Sequence, residues 1–246
     1  MEPRTSHWDH ATAMALAATE YDRCLAHLRR LTDDDWSKPT ACPAWDVRQL
    51  AGHMLGMAAM TASVREMIRQ QRQAARRGGG TDGLTQLQVD ERAEWSPTRI
   101  IESFAETGPR AVAGRRRIPR LIRDRRFPEL QRVNGADEPW TFGFLFDVIL
   151  TRDPWMHRTD LAQATQTPLD LTPEHDGVIV AGVVEEWADR HGKDFDLALT
   201  GPAGGHWTIG ANGPAINLDA IEFCRVVSGR RGTVELDELL STEVPF

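Results

Sequence analysis

The stretch RDPWMHRTD, residues 152–160, sets Asp153 and His157 four positions apart with Pro154 wedged between them. On a helix that spacing puts both side chains on one face, with Cβ atoms roughly 5–6 Å apart. A carboxylate and an imidazole so placed can converge on one ion at about 2.0–2.2 Å each. The same residues also read as a helix start, with Asp153 as N-cap and Pro154 at the first helical position. A third donor, His53 in QLAGHMLGM, sits between Leu50 and Met57 near a buried stripe, where it reads either as a ligand or as a hydrogen-bonded core histidine. A His/Asp/His set leaves coordination positions open. That is the pattern of catalytic rather than structural zinc, and nitrogen and oxygen donors also admit manganese, iron or nickel.

The elements that must position these residues follow from apolar periodicity. Met14, Ala17, Ala18, Tyr21, Leu25 and Leu28 recur at helical steps, so a first helix is expected over His7 to about Leu31. The break TDDDWSKPTACPAW follows, with Trp36 and Trp45 as anchors. Asp46 and Gln49 form a capping box for a second helix to about Gln71, which ends in the basic tail RQQRQAARRGGG. Ser96 and Pro97 open a third helix. Residues 115–140 read as a long connection with local helical turns, and a fourth helix is expected from about Trp140 to Ala164. Beyond Thr167 the chain reads as one helix through GVIVAGVV, two short strands around TGPAGG, and a short helix closed by Gly229; GTVELDELL has no clear pattern. The fold class is therefore mainly α, a four-helix bundle over 1–166 followed by a small α+β domain over 167–246. Bundle cores are common places for metal sites.

Composition narrows the function. A chain of 246 residues with 41% hydrophobic content can bury a core without staples. A net charge of −7 argues against wholesale attraction to nucleic acid or anionic lipid. The arginine tract RRRIPRLIRDRR (115–126) lacks interleaved aromatics and reads as a solvated loop, so no nucleic-acid partner is expected. The apolar runs are too short to span a bilayer, and no membrane role is expected. Cys24, Cys42 and Cys224 are far apart with no C-x-x-C pair; with no leader pattern in MEPRTSHWDHATAM, a cytoplasmic protein with reduced thiols is expected.

Two motif stretches carry a family resemblance. LTDDDWSKPTACPAWDVRQLAGHM (31–54) resembles the N-terminal signature of the mycothiol-dependent maleylpyruvate isomerase family, whose members are DinB-like metal-binding bundles. In that family a C-P-[GA]-W turn precedes a helix ending in a metal-binding histidine. TRDPWMHRTDLAQAT (151–165) is similar to the second metal motif, and DAIEFCRVVSGRR (219–231) to a late helix of the C-terminal domain. The resemblance implies His53, Asp153 and His157 as metal ligands, with Asp153 where the family often has Glu, and Pro154 as a further departure. It implies a divalent metal, zinc above all, and mycothiol as cofactor or co-substrate. In the implied reaction a thiolate adds to an activated double bond, the intermediate rotates about the new single bond, and the thiol is expelled; stopping after addition or displacement gives an S-transferase instead.

A small acidic or electrophilic substrate and the polar sugars of mycothiol would recruit cations. Arg152 and Arg158 flank the metal motif and are candidates for cofactor binding; Arg225 and Arg230 on or after the late helix are candidates for catalysis. Trp45 and Trp155 are assigned to packing, Cys42 to a buried structural thiol, and the remaining histidines (His7, His10, His27, His175, His191, His206) to the surface. The chain is expected to be a monomer or homodimer. The rival reading is a non-catalytic DinB-like metal binder, acting as a sensor or partner-binding module.

Overall fold

The computed structural model describes residues 2–230 and 238–246. Helices dominate, with one small mixed sheet near the C-terminus, so the chain is mainly α as the apolar periodicity requires. Two compact units divide it: one formed by Asp9–Arg123 with Asp153–Pro168, the other by the N-terminal segment through Trp8, Asp124–Arg152 and the chain from Leu169 on.

The first unit is the helical one. Helix α1 (His10–Leu28) starts at Asp9, whose side chain accepts from the amides of Ala11 and Thr12. Helix α2 (Val47–Ala62) has the expected reciprocal cap: Gln49 N donates to Asp46 at 2.8 Å and Asp46 N to Gln49 Oε1 at 2.9 Å. The second helix was expected to continue to about Gln71. It stops at Ser63, which turns extended (φ −151°, ψ 123°) and caps a separate helix, α3 (Val64–Ala75). A further helix, α4 (Gly80–Asp90), occupies residues for which the sequence predicts none and begins on the last of three glycines at positive φ, Gly78–Gly80. Met60, Ala74 and Leu84 bury its contact with α2 and α3. Helix α5 (Pro97–Arg116) begins at the expected Ser96–Pro97 pair and packs on α1 and α2; a single turn, α6 (Arg120–Arg123), follows.

The other unit opens with strands β1 (Gln131–Val133) and β2 (Ala136–Glu138), an antiparallel hairpin where helical turns were expected. Its turn is Asn134–Gly135, both at positive φ, the arrangement a two-residue hairpin loop demands. Trp140, Phe144, Val148 and Ile149 bury its apolar side. The backbone then makes a wide π-type turn over Phe144–Ile149 and runs straight into α7 (Leu150–Thr165). After a second π-type turn, α8 (Val178–His191) ends at Gly192 in the left-handed conformation. Strands β3 (Phe195–Thr200) and β4 (Gly205–Ile209) pair antiparallel as expected; β5 (Ala215–Asp219), which the sequence reading lacked, adds parallel to β3. Helix α9 (Ala220–Val227) is capped by Asp219, and Gly229 follows at φ 78°. Trp187 packs edge-on against Phe195 and Phe223 in this unit. The helical unit ends at Pro168, while Asp124–Arg152 packs with the C-terminal elements. Most of GTVELDELL lies outside the described residues. Among those described, no helix is long and apolar enough to cross a membrane.

Candidate metal centre

Asp153 does not cap a helix. The backbone is already helical from the π-type turn onward, so Asp153 sits in the first turn of α7 with Pro154 inside it. Proline removes the N–H that a regular helix would return to the Leu150 carbonyl, and the wide turn immediately upstream is where the helix departs from regularity. Asp153 and His157 therefore share a face, as their spacing requires: His157 Nε2 lies 3.3 Å from Asp153 Oδ1.

His53 comes from α2, buried to 3% exposure among Leu50, Met54 and Leu55. Its Nε2 lies 3.7 Å from the same Asp153 Oδ1. The two imidazoles stand edge to face, centroids 5.2 Å apart, and one donor atom from each of the three residues lies within 4.8 Å of the others. Donors held about 2.1 Å from a common ion at tetrahedral angles stand about 3.4 Å apart, so the observed separations suit a shared cation. The outer ring nitrogens are engaged elsewhere: Nδ1 of His53 with Gln88 Oε1 at 2.9 Å, and Nδ1 of His157 with Asp160 Oδ2 at 3.3 Å. Tying Nδ1 outward aims each Nε2 inward, the usual second-sphere arrangement of ligating histidines.

The electrostatics select positive charge. Burial works against the Asp153 carboxylate, yet His157 and His53 outweigh it and hold its pKa far below the usual range. Burial likewise works against imidazolium at His157, and Asp153 outweighs it, raising His157 well above its ordinary value. The donors thus favour positive charge between them.

The surroundings add residues the sequence reading missed or placed differently. Cys42 is only partly buried, and its Sγ groups with His157 and Asp160 within 4.8 Å; the C-P-A-W turn, closed by Trp45 N donating to Cys42 O at 2.9 Å, brings it there. The assignment of Cys42 to a buried structural thiol is corrected accordingly. Trp45 lies over His53, ring centroids 5.1 Å apart, whereas Trp155 is core, as expected. Gln88 was invisible because it lies on the unforeseen α4; Asp160 sat in plain view at i+3 from His157. His27 and His175, expected at the surface, are buried.

The four arginines fall into two groups. Arg158 is 2% exposed, and its Nε and Nη2 reach Glu20 Oε1 and Oε2 at 2.6 and 3.1 Å, a two-pronged tie between α7 and α1. Arg152 is fully buried, its Nη1 2.6 Å from Glu186. Both guanidinium groups lie buried against carboxylates, where sequence adjacency to the motif had suggested cofactor binding. Arg225 is buried on α9, 3.8 Å from Glu222, while Arg230 is half-buried with Nη1 3.1 Å from Ser228 Oγ. Both belong to the C-terminal unit.

With this geometry in view, the family model of the mycothiol maleylpyruvate isomerase N-terminal domain matches residues 17–162. The chain belongs to that family. Two solved structures of the mycothiol-dependent maleylpyruvate isomerase, one of them a histidine-to-alanine variant, are similar to it. Each is 12% identical, with 98% of both chains covered and a TM-score of 0.60. At that identity the likeness shows the fold. No curated protein sequence matches. The family match spans His53, Asp153 and His157, the three residues that converge in the helical unit.

Proposed function

We propose that this family member is a divalent-metal enzyme that uses a low-molecular-weight thiol, mycothiol, on a small acidic or electrophilic substrate, as an isomerase of the maleylpyruvate type or as an S-transferase. The observation that carries the reading is the convergence of His53 Nε2 and His157 Nε2 on Asp153 Oδ1, with both Nδ1 atoms tied outward.

His53, Asp153 and His157 would hold the cation, zinc first among candidates. When bound, it would lower the pKa of a thiol placed on an open coordination position and so supply thiolate at neutral pH. The protein's own residues do the rest. Trp45 shields one face of His53 from water, and Gln88 and Asp160 fix the two rings. Arg225 and Arg230, cations of the C-terminal unit, are the residues we propose for carboxylate binding by charge-assisted hydrogen bonds. For a maleyl-type substrate, thiolate addition to the C=C bond, rotation, and expulsion of the thiol would give the trans isomer with no net change in composition. We place the enzyme in the cytoplasm, as a monomer or homodimer, alongside its thiol.

The test is cobalt substitution followed by titration with mycothiol, then assay with maleylpyruvate. A thiolate-to-cobalt absorption band and cis-to-trans turnover are expected. Cobalt that stays bound while its spectrum ignores mycothiol would replace this reading with the non-catalytic metal binder.

A further inference from the structure

Behind His53 a line of buried amides runs away from the centre. His53 Nδ1 meets Gln88 Oε1 at 2.9 Å, Gln88 Nε2 meets Gln70 Oε1 at 2.8 Å, and Gln70 Nε2 meets Glu66 Oε1 at 2.9 Å. Gln70 and Gln88 are both 0% exposed. Either nitrogen of a neutral imidazole can carry its proton, and an amide can face either way, so each link alone is ambiguous. The far end removes the ambiguity.

Glu66 is a carboxylate bound by Arg69 Nε at 2.8 Å and Nη2 at 2.6 Å, and it can only accept. Gln70 Nε2 also faces the Gly56 carbonyl at 3.1 Å, which likewise only accepts. Two acceptors on one side of Gln70 require its NH₂ there, so its oxygen must face Gln88. Gln88 must then present NH₂ to Gln70, and the second proton finds Met57 Sδ at 3.2 Å, again an acceptor without a donor. Gln88 therefore offers only its oxygen to His53, and His53 Nδ1 must donate. Nε2 is left with a lone pair pointing at Asp153 Oδ1, another acceptor, 3.7 Å away. A ring lone pair and a carboxylate oxygen so placed leave room for a cation between them.

We infer that Glu66, Gln70 and Gln88 form a one-directional hydrogen-bond relay that dictates the tautomer of His53 and so prepares Nε2 as a metal ligand. Gln70 and Gln88 are positioning residues, and Gln70 acts without touching the histidine. The relay rests on the proposed metal centre for its purpose but not for its existence, because the acceptors that impose its direction belong to the protein alone. Gly56 belongs to the device as well: a Cβ there would lie 2.5 Å from Gln88 Cγ.

The test uses metal-free, ¹⁵N-histidine-labelled full-length protein, read by long-range ¹H–¹⁵N correlation. Wild type is expected to show a protonated Nδ1 and a bare Nε2 at His53. The Gln70→Leu/Met57→Leu double variant keeps the Gln88–His53 contact but removes both acceptors that fix the direction of Gln88. Its His53 signal is expected to spread over both tautomers, with zinc affinity, measured by chelator competition, weaker by about tenfold. Gln88→Glu, which can only accept, is expected to keep the proton on Nδ1. A wild-type His53 protonated at Nε2, or a Gln70→Leu/Met57→Leu protein with the wild-type tautomer, would overturn the relay. A wild type with the expected tautomer but no zinc binding would instead sink the metal reading and leave the relay standing.

Discussion

Replacing Gly56 with alanine inserts one methyl group at the back of the metal centre. The new Cβ would stand 2.5, 2.6 and 2.9 Å from Gln88 Cγ, Cβ and Cδ. Ordinary apolar contact is about 3.5–4.0 Å, so the Gln88 side chain must retreat by about 1 Å. That is enough to break a hydrogen bond of 2.9 Å to His53 and one of 2.8 Å to Gln70. Alanine in a helix gains about 0.5–1 kcal/mol over glycine. Overpacking costs about 1–3 kcal/mol, and a buried polar group left unpaired costs about 1–3 kcal/mol more. The net expectation is a loss of about 1–5 kcal/mol in urea unfolding of the metal-free protein, with zinc affinity about tenfold or more weaker. Gly52→Ala, one turn earlier, is the internal control. Its Cβ would meet Arg92 Cβ at 3.3 Å, so the neighbour need give only a few tenths of an ångström. Helix propensity then roughly offsets the crowding, with a change within about 0.5–1 kcal/mol and unaltered zinc affinity. If Gly56→Ala matches Gly52→Ala in both stability and zinc binding, Gln88 does not support His53 and the reasoning fails.

Other consequences can be measured separately. Glu20→Leu strands the buried Arg158 charge and should cost about 3–5 kcal/mol in denaturant unfolding, most of it recovered in the Glu20→Leu/Arg158→Met double variant. Asp160→Asn weakens the group that orients His157 Nδ1, and zinc affinity should fall by about tenfold in chelator competition while the far-ultraviolet circular dichroism stays as wild type. Glu66 is held down at about 2 by hydrogen bonds from Arg69. With the folded pKa below the unfolded one, its contribution is complete above about pH 4.5 and is lost as pH falls toward 2. Partial exposure limits it to at most about 3 kcal/mol, and Glu66→Gln should flatten unfolding free energy across that window.

What the sequence made legible was local. The Asp46–Gln49 and Ser96–Pro97 helix starts depend on spacings of one to three residues, and each has the hydrogen bonds its pattern implies. Asp153 and His157 are four apart on one helix, so their shared face followed directly. The unread parts were those that other segments decide. Helix α4 begins on a glycine triplet that argues locally against a helix, yet Leu84 and Leu87 find burial and Gln88 finds His53. Strand β5 exists because β3 lies beside it in parallel, a pairing with no local signature. Asn134–Gly135 is different: the hairpin signal was present, and the basic residues before it drew attention to a loop. Arginines show the sharpest limit. Arg152 and Arg158 adjoin the motif in sequence, but burial and carboxylate partners determine what they do.

The most direct measurement is the metal stoichiometry of purified protein reloaded with zinc and dialysed, by elemental analysis, for wild type and for His53→Ala, Asp153→Ala and His157→Ala. One ion per wild-type chain is expected, with retention lost in each variant while the helical circular dichroism signal persists. Zinc retained equally by wild type and by all three folded variants would contradict a centre built from these side chains.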